Sequence, residues 1–228
     1  MSRGESVLNS SRAPRLNLMA SSRDPEPRWP AFVAMLAAGG VYFSLPERLS
    51  VGPGWGLLAV ILVLMVPIAV SNRRGDFHIT RPLVVLANGA ITAGMITSLV
   101  WLIKGIPQHR DSPMALLRAA IALWVTNIVV FALWYWKFDA GGPARRDVRT
   151  GRLKSSFLFP QMLDEEGRDP DWSPQFMDYL FLAFNTSTAF SPTDTAVLSR
   201  WAKAGTMLQS LISLAIVVLL AARAVNIF

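Results

Sequence analysis

The chain has 228 residues, of which 52% are hydrophobic and 16% charged, against about 25% charged in ordinary globular proteins, and this balance argues against a water-soluble domain. It carries 22 basic and 15 acidic residues for a formal net charge of +7, and no cysteine, so a disulfide framework and thiolate chemistry are both excluded. Several apolar runs approach the ~20 residues that cross a hydrocarbon core, so the basic excess is read as setting topology against anionic lipid and not as binding nucleic acid.

Residues 1–28 are polar and rich in Ser and Arg. No apolar stretch follows the first charges, so they are expected to be a disordered cytoplasmic tail rather than a secretory signal. A first span is predicted over 29–45, with Ala37, Ala38, Gly39 and Gly40 giving it a small-residue face for close helix packing. A second is predicted over 55–70. Arg73, Arg74, Asp76, His78 and Arg81 then make a loop before a third span over 82–103, which holds Asn88 and the pair Ala90/Gly94. The fourth, over 115–136, contains Asn127 and ends in Trp134, Tyr135 and Trp136, suited to a membrane interface. In a hairpin of these last two spans, Asn88 and Asn127 fall at similar depth and are expected to bond to each other. Residues 29–136 thus form a four-helix transmembrane region.

Residues 137–173 read as a charged cytoplasmic loop. A basic half (Arg145, Arg146, Arg149, Arg152, Lys154) precedes an acidic half (Asp164, Glu165, Glu166, Asp169, Asp171), with an apolar patch at 157–160 expected to dip into the interface. The acidic spacing lacks the alternating ligands and the Gly before a final Glu of an EF-hand loop, so a solvated linker is expected and no metal. The two histidines, His78 and His109, lie in predicted loops, which disfavours a His-based metal cage. No G-x-S-x-G, H-E-x-x-H or phosphate-binding Gly loop occurs, so neither an enzyme, a catalytic residue nor a cofactor is expected.

Residues 174–228 form a helix–polar turn–helix unit. Loop counts of Lys and Arg alternate between high and low, which fits an all-α, six-span bundle in the inner (plasma) membrane of a bacterial cell with both termini cytoplasmic. The alternative is five spans plus a re-entrant half-helix at 174–190, because seventeen helical residues cover only about 25 Å. Two readings compete for the hydroxyl- and amide-rich run here. In one, Ser191 is a helix N-cap, Pro192 sits at the first helical position and Asp194 reaches back from the third. In the other, Asn185, Thr186, Ser187, Thr188, Ser191, Asp194 and Thr195 line a path for a small ion or solute, their oxygens replacing part of a hydration shell.

The order of short helix, hydroxyl-rich segment and long helix faintly resembles the pore region of potassium channels, but 188–194 lacks the glycines of their T-x-G-[YF]-G-D filter. The C-terminal segment resembles uncharacterised bacterial integral membrane proteins of the DUF1345 type. Tyr179, Phe181, Phe184, Thr188, Ser191, Asp194, Thr195, Ser199, Arg200, Ser213, Val225 and Asn226 carry that resemblance. It implies a multi-span fold and no particular activity. The expected partners are the lipid bilayer, a small ion or solute, and further copies of the chain in a homo-oligomer; the competing class is a structural or assembly component of the membrane.

Overall fold

The computed structural model describes residues 26–43, 45–50, 52–74, 77–105, 112–148, 155–163 and 172–224. Seven α-helices are found among them: α1 (Trp29–Phe43), α2 (Gly56–Arg74), α3 (Phe77–Gly105), α4 (Pro113–Phe138), α5 (Pro143–Val148), α6 (Phe176–Thr188) and α7 (Arg200–Ala224). Two short strands, β1 (Phe157–Leu158) and β2 (Ala196–Val197), pair antiparallel. The chain is therefore all-α, and three of its helical stretches are long and apolar enough to cross a membrane: 79–105, 114–146 and 200–222.

The apolar runs become helices that satisfy their own backbone, with Pro67 inside α2 and Pro82 inside α3, and polar residues mark where several of them begin and end. Ser112 caps α4, its Oγ accepting from the Ala115 N–H at 3.2 Å, and Pro113 follows where a missing N–H costs nothing. At the other end the Asp139 N–H donates to the Tyr135 carbonyl and closes the helix. The small-residue face of α1 does what its composition predicts. A Cβ on Gly39 would lie 2.8 Å from Ile61 Cδ1 and 3.0 Å from Leu58 Cδ1, so α1 and α2 pack closer there than a side chain permits. The third helix starts earlier than expected, at Phe77 with Pro82 inside it, and Thr80 donates to Ser71 Oγ at 2.9 Å across a very short turn.

At the centre stands α4, packed against α1, α3, α6 and α7. Asn88 and Asn127 do not meet as expected. Asn88 Nδ2 donates to the Val130 carbonyl at 3.4 Å, while Asn127 turns to the opposite side of α4, toward α6 and α7. The side chains follow whichever helix face each residue occupies, and equal depth does not make two residues face each other.

The described residues that follow α4 pack back against it. A 3-10 turn at Asp139–Gly141 and the helix α5 fold back on the end of α4, with Arg146 fully buried. Phe157 and Phe159 pack into a cluster with Tyr135, Trp172, Tyr179 and Trp201 instead of dipping into an interface. The acidic half at 164–171 lies outside the described residues. Gly142 is the tightest point of this reversal. Its φ is +93° and a Cβ would stand 2.8 Å from the Lys137 carbonyl oxygen, a backbone atom that cannot step aside. Gly142→Ala is expected to cost about 1–3 kcal/mol in detergent-solubilised protein, read as a lowered unfolding midpoint.

The element that matters for function is α6, the fifth of six expected spans or, in the alternative, a half-helix within 174–190; it has 13 residues and is about 20 Å long. It starts beside the C-terminal end of α4, where the Phe176 ring lies 5.9 Å from that of Trp136, and stops near the middle of α4, where Ser187 meets Asn127. Helix α7 starts at the same end, with Trp201 against Phe138 at 6.0 Å, and reaches the Asn127 level at Ser213. Helices α6 and α7 therefore run parallel, and residues 189–199 climb back to the end from which α6 set out. The β1–β2 pair and the bond from Leu198 N–H to the Ser156 carbonyl at 2.8 Å fix this return to the connection that precedes α6.

Candidate functional site

The return places the start of α7 eight residues later than the sequence suggests. Ser191, Pro192 and Asp194 do not start it. The helix begins at Arg200, and the Ser199 Oγ accepts from Ala202 N–H at 3.4 Å. The capping pattern at 191–194 is spent on a turn instead: Thr193 N–H donates to Ser191 Oγ at 3.3 Å and Thr195 N–H to the Pro192 carbonyl at 3.3 Å. Phe190 and Thr193 both have φ of +54°, a left-handed backbone that non-glycine residues adopt only when the surroundings hold them there. Pro192 and the hydroxyls nearby satisfy a turn as readily as a helix start, which is why the pattern misleads.

The seven candidate residues divide into two sets. Thr186 and Ser187 are buried on the inner face of α6, and Thr195 is buried near β2. Thr188, Ser191 and Asp194 are exposed and Asn185 is half-buried. Thr188 Oγ1 bonds back to the Phe184 carbonyl at 2.9 Å, and Thr186 Oγ1 to Leu182 at 2.8 Å, which closes the last turn of α6 on itself.

Ser187 belongs to a buried hydrogen-bonded core that the sequence did not announce. Gln209 of α7 donates from Nε2 to the Ala183 carbonyl at 2.7 Å and to Ser187 Oγ at 2.9 Å, while its Oε1 accepts from Tyr135 O–H at 2.7 Å. Asn127 Nδ2 donates to Ser213 Oγ at 2.8 Å and to the Gln209 carbonyl at 3.2 Å. Asn127 Oδ1 accepts from none of the described residues, so this amide acts as a donor. Asn127, Gln209 and Ser213 are each 0% exposed. The available signal was Gln209 itself, an amide in an otherwise apolar stretch, since a polar group at membrane depth must find a partner. The network pins the tip of α6 to α4 and α7 at mid-depth.

A second cluster pins the other end of α6. Glu26, expected in the disordered tail, is buried. Its Oε1 accepts from Trp136 Nε1 at 2.6 Å and from the Phe176 N–H at 2.8 Å, and its Oε2 pairs with Arg146 Nη2 at 3.0 Å. Arg146 Nη1 also donates to the carbonyls of Trp136 and Asp139, and its guanidinium lies 5.1 Å from the Tyr179 ring centroid. Asp139 accepts from Ser155 Oγ, Ser156 N–H and Tyr179 O–H. The first turn of α6 is closed by Gln175 and Asp178, whose carboxylate accepts from Gln175 N–H at 2.7 Å. Charge has left the solvent here because one carboxylate and one guanidinium tie together residues 26, 136, 146 and 176.

No group of three or more His, Asp or Glu side chains fit to hold a metal occurs among the described residues. His78, His109, Arg223, Val225 and Asn226 have side chains outside the described set. Comparison with protein-family models, curated proteins and solved structures finds no match to this chain.

Proposed function

We propose that the chain crosses the membrane with α1, α2, α3, α4 and α7, and that α6 with residues 189–199 forms a re-entrant element serving passage or sensing of a small cation. The observation that carries this reading is the parallel run of α6 and α7 from one end, which leaves no crossing for α6. In such an arrangement the residue-26 end collects most of the basic loops: the tail, the α2–α3 turn, 137–175 and 189–203. The positive-inside rule then puts this end in the cytoplasm of a bacterial plasma membrane and the C-terminus outside. Asn185 and Thr188 at the α6 tip, with Ser191 and Asp194 on the return, present oxygen donors and one carboxylate that favours a cation. Only the α6 tip descends to mid-depth, where irregular backbone requires either protein cover or water. No catalytic role is assigned, and kinship with the DUF1345 type belongs to this same proposal.

A structural or assembly role is favoured by a separate observation, the engagement of Ser187 in the buried network and the burial of Thr186, whose hydroxyl bonds back to the Leu182 carbonyl. Two measurements discriminate the readings. A reporter fused after Phe228 is expected outside the cell, and an internal signal overturns the five-span arrangement. Cation flux in proteoliposomes is expected to fall with Asp194→Ala and with Thr188→Val while the fold persists. Unchanged flux with lost complex formation leaves the structural role.

A further inference from the structure

We infer that Arg81 and Lys137, beside Arg28, hold the phosphate of one anionic phospholipid where the ends of α1, α3 and α4 meet. Such a site goes beyond the proposed pathway and needs only that these three helices cross the membrane. All three have an end on the residue-26 side: α1 begins at Trp29, α3 begins at Phe77 and α4 closes at Phe138. Helices α1 and α3 both pack on α4 and touch each other. Arg81 follows the opening turn of α3, Lys137 lies in the last turn of α4, and Arg28 immediately precedes α1. The charges of Arg81 and Arg28 both bear on the Lys137 ammonium, so three elements bring cations to one place. Lys137 is half-buried there and Arg81 is exposed.

The acids at this end are engaged elsewhere. Glu26 is taken by Arg146, Trp136 and Phe176, and Asp139 by Ser155, Ser156 and Tyr179. Asp178 closes the first turn of α6 on Gln175. Among the described residues no carboxylate pairs with Arg81 or Lys137. Like charges gathered in a half-buried place repel, and an anion stabilises them more than water does. The opening turn of α3 adds the positive end of its dipole to the same place. The ends of crossing helices lie at headgroup depth, where phosphodiesters are the abundant anions and basic pockets between helices take them. The Arg81 fork can bind two phosphate oxygens while the Lys137 ammonium supplies a point charge. Trp29, exposed at the start of α1, suits the same interfacial level, and the exposed Val33 and Leu86 lie deeper along α1 and α3, where acyl chains run.

The test places the full chain in phosphatidylcholine nanodiscs with and without phosphatidylglycerol. Two quantities are read: the unfolding midpoint, and the lipid that stays on the protein in native mass spectrometry. Phosphatidylglycerol is expected to raise the midpoint and to remain bound at one molecule per chain. Arg81→Gln combined with Lys137→Gln is expected to weaken that retention about tenfold and to abolish the rise. The same double variant is expected to keep its midpoint in phosphatidylcholine alone, because removing the cations also removes their repulsion. Arg81→Lys, which keeps the charge, retains the lipid. Arg200→Gln with Lys203→Gln removes two exposed cations from the same end, on α7, and is expected to leave retention unchanged. An equal loss in that pair overturns the inference in favour of diffuse attraction. A fall in midpoint that is the same in both lipids makes Arg81 and Lys137 merely structural and overturns it too. So does a chain that retains phosphatidylglycerol no better than phosphatidylcholine. A rise produced equally by inorganic phosphate in phosphatidylcholine assigns the site to a free anion and overturns the lipid. None of these results moves the C-terminal reporter, so the site and the re-entrant reading fail separately.

Discussion

Arg146→Ala is expected to lower the unfolding free energy by about 3–5 kcal/mol, the usual loss when one partner of a buried ion pair is removed. Glu26 would remain enclosed beside Trp136 and Phe176 without the guanidinium that pairs with it at 3.0 Å, and the Trp136 and Asp139 carbonyls would each lose a donor. Because Arg146 and Glu26 are 1% and 5% exposed, solvent cannot take over from the missing group. Detergent-titrated unfolding in mixed micelles measures the loss, and a change near the ~1 kcal/mol of a surface pair would show that the clasp is solvated. Glu26→Leu combined with Arg146→Met removes both charges and is expected to recover most of the stability. The Glu26 carboxyl also adds a pH dependence. Burial pushes it above its ordinary 4.5, and the Arg146 guanidinium, the Trp136 indole and the Phe176 amide pull part of the way back. The folded protein thus keeps this proton at pH values where the unfolded chain has released it. The group's contribution is complete below 4.5 and is lost as the pH rises through the raised value, a slope that Glu26→Gln abolishes.

Such a clasp lies beyond what composition shows. Arg146 reads as one of several basic loop residues, and nothing local marks it as the one whose guanidinium is enclosed. Its partner stands 120 residues earlier, and contacts at that separation have no periodicity to betray them. The helices, by contrast, were legible, because an apolar run satisfies its own backbone and needs no distant information. The same locality explains the misreading at Ser191. Ser, Pro and Asp favour a helix start and a turn for the same reason, their ability to occupy or satisfy the first backbone positions. The choice was made by the strand pair Ala196–Val197 with Phe157–Leu158, two residues on each side, too short to leave a pattern. Of the candidate residues, Asn185, Thr188, Ser191 and Asp194 lie exposed or half-buried on the outside of the chain. Thr186 and Ser187 take part in packing instead, because the helix face they share turns toward α4 and α7.

Gln209→Leu is expected to cost about 2–4 kcal/mol, and to do so by freeing the tip of α6 more than by unfolding the bundle. The amide joins α4, α6 and α7 at a single point, through Tyr135 O–H, the Ala183 carbonyl and Ser187 Oγ, beside the longer Asn127 bond to Ser187. A leucine fills the space but leaves the Tyr135 hydroxyl and the Ser187 hydroxyl without that partner, at roughly 1–3 kcal/mol for each buried group stranded. Tyr135→Phe removes only the first of these bonds and is expected to cost about 1 kcal/mol, within the range of single hydrogen bonds in membrane bundles. The comparison separates two accounts of the network. If it merely adds cohesion, the two variants lower the unfolding midpoint in proportion to the bonds lost and leave hydrogen exchange at 183–195 otherwise alike. If it positions the re-entrant tip, Gln209→Leu raises exchange at 183–195 selectively and lowers cation flux, while Tyr135→Phe, whose Gln209 still reaches Ala183 and Ser187, changes neither. The geometry favours the second outcome, since both Nε2 bonds go to α6 and the helix has only 13 residues with which to hold its place.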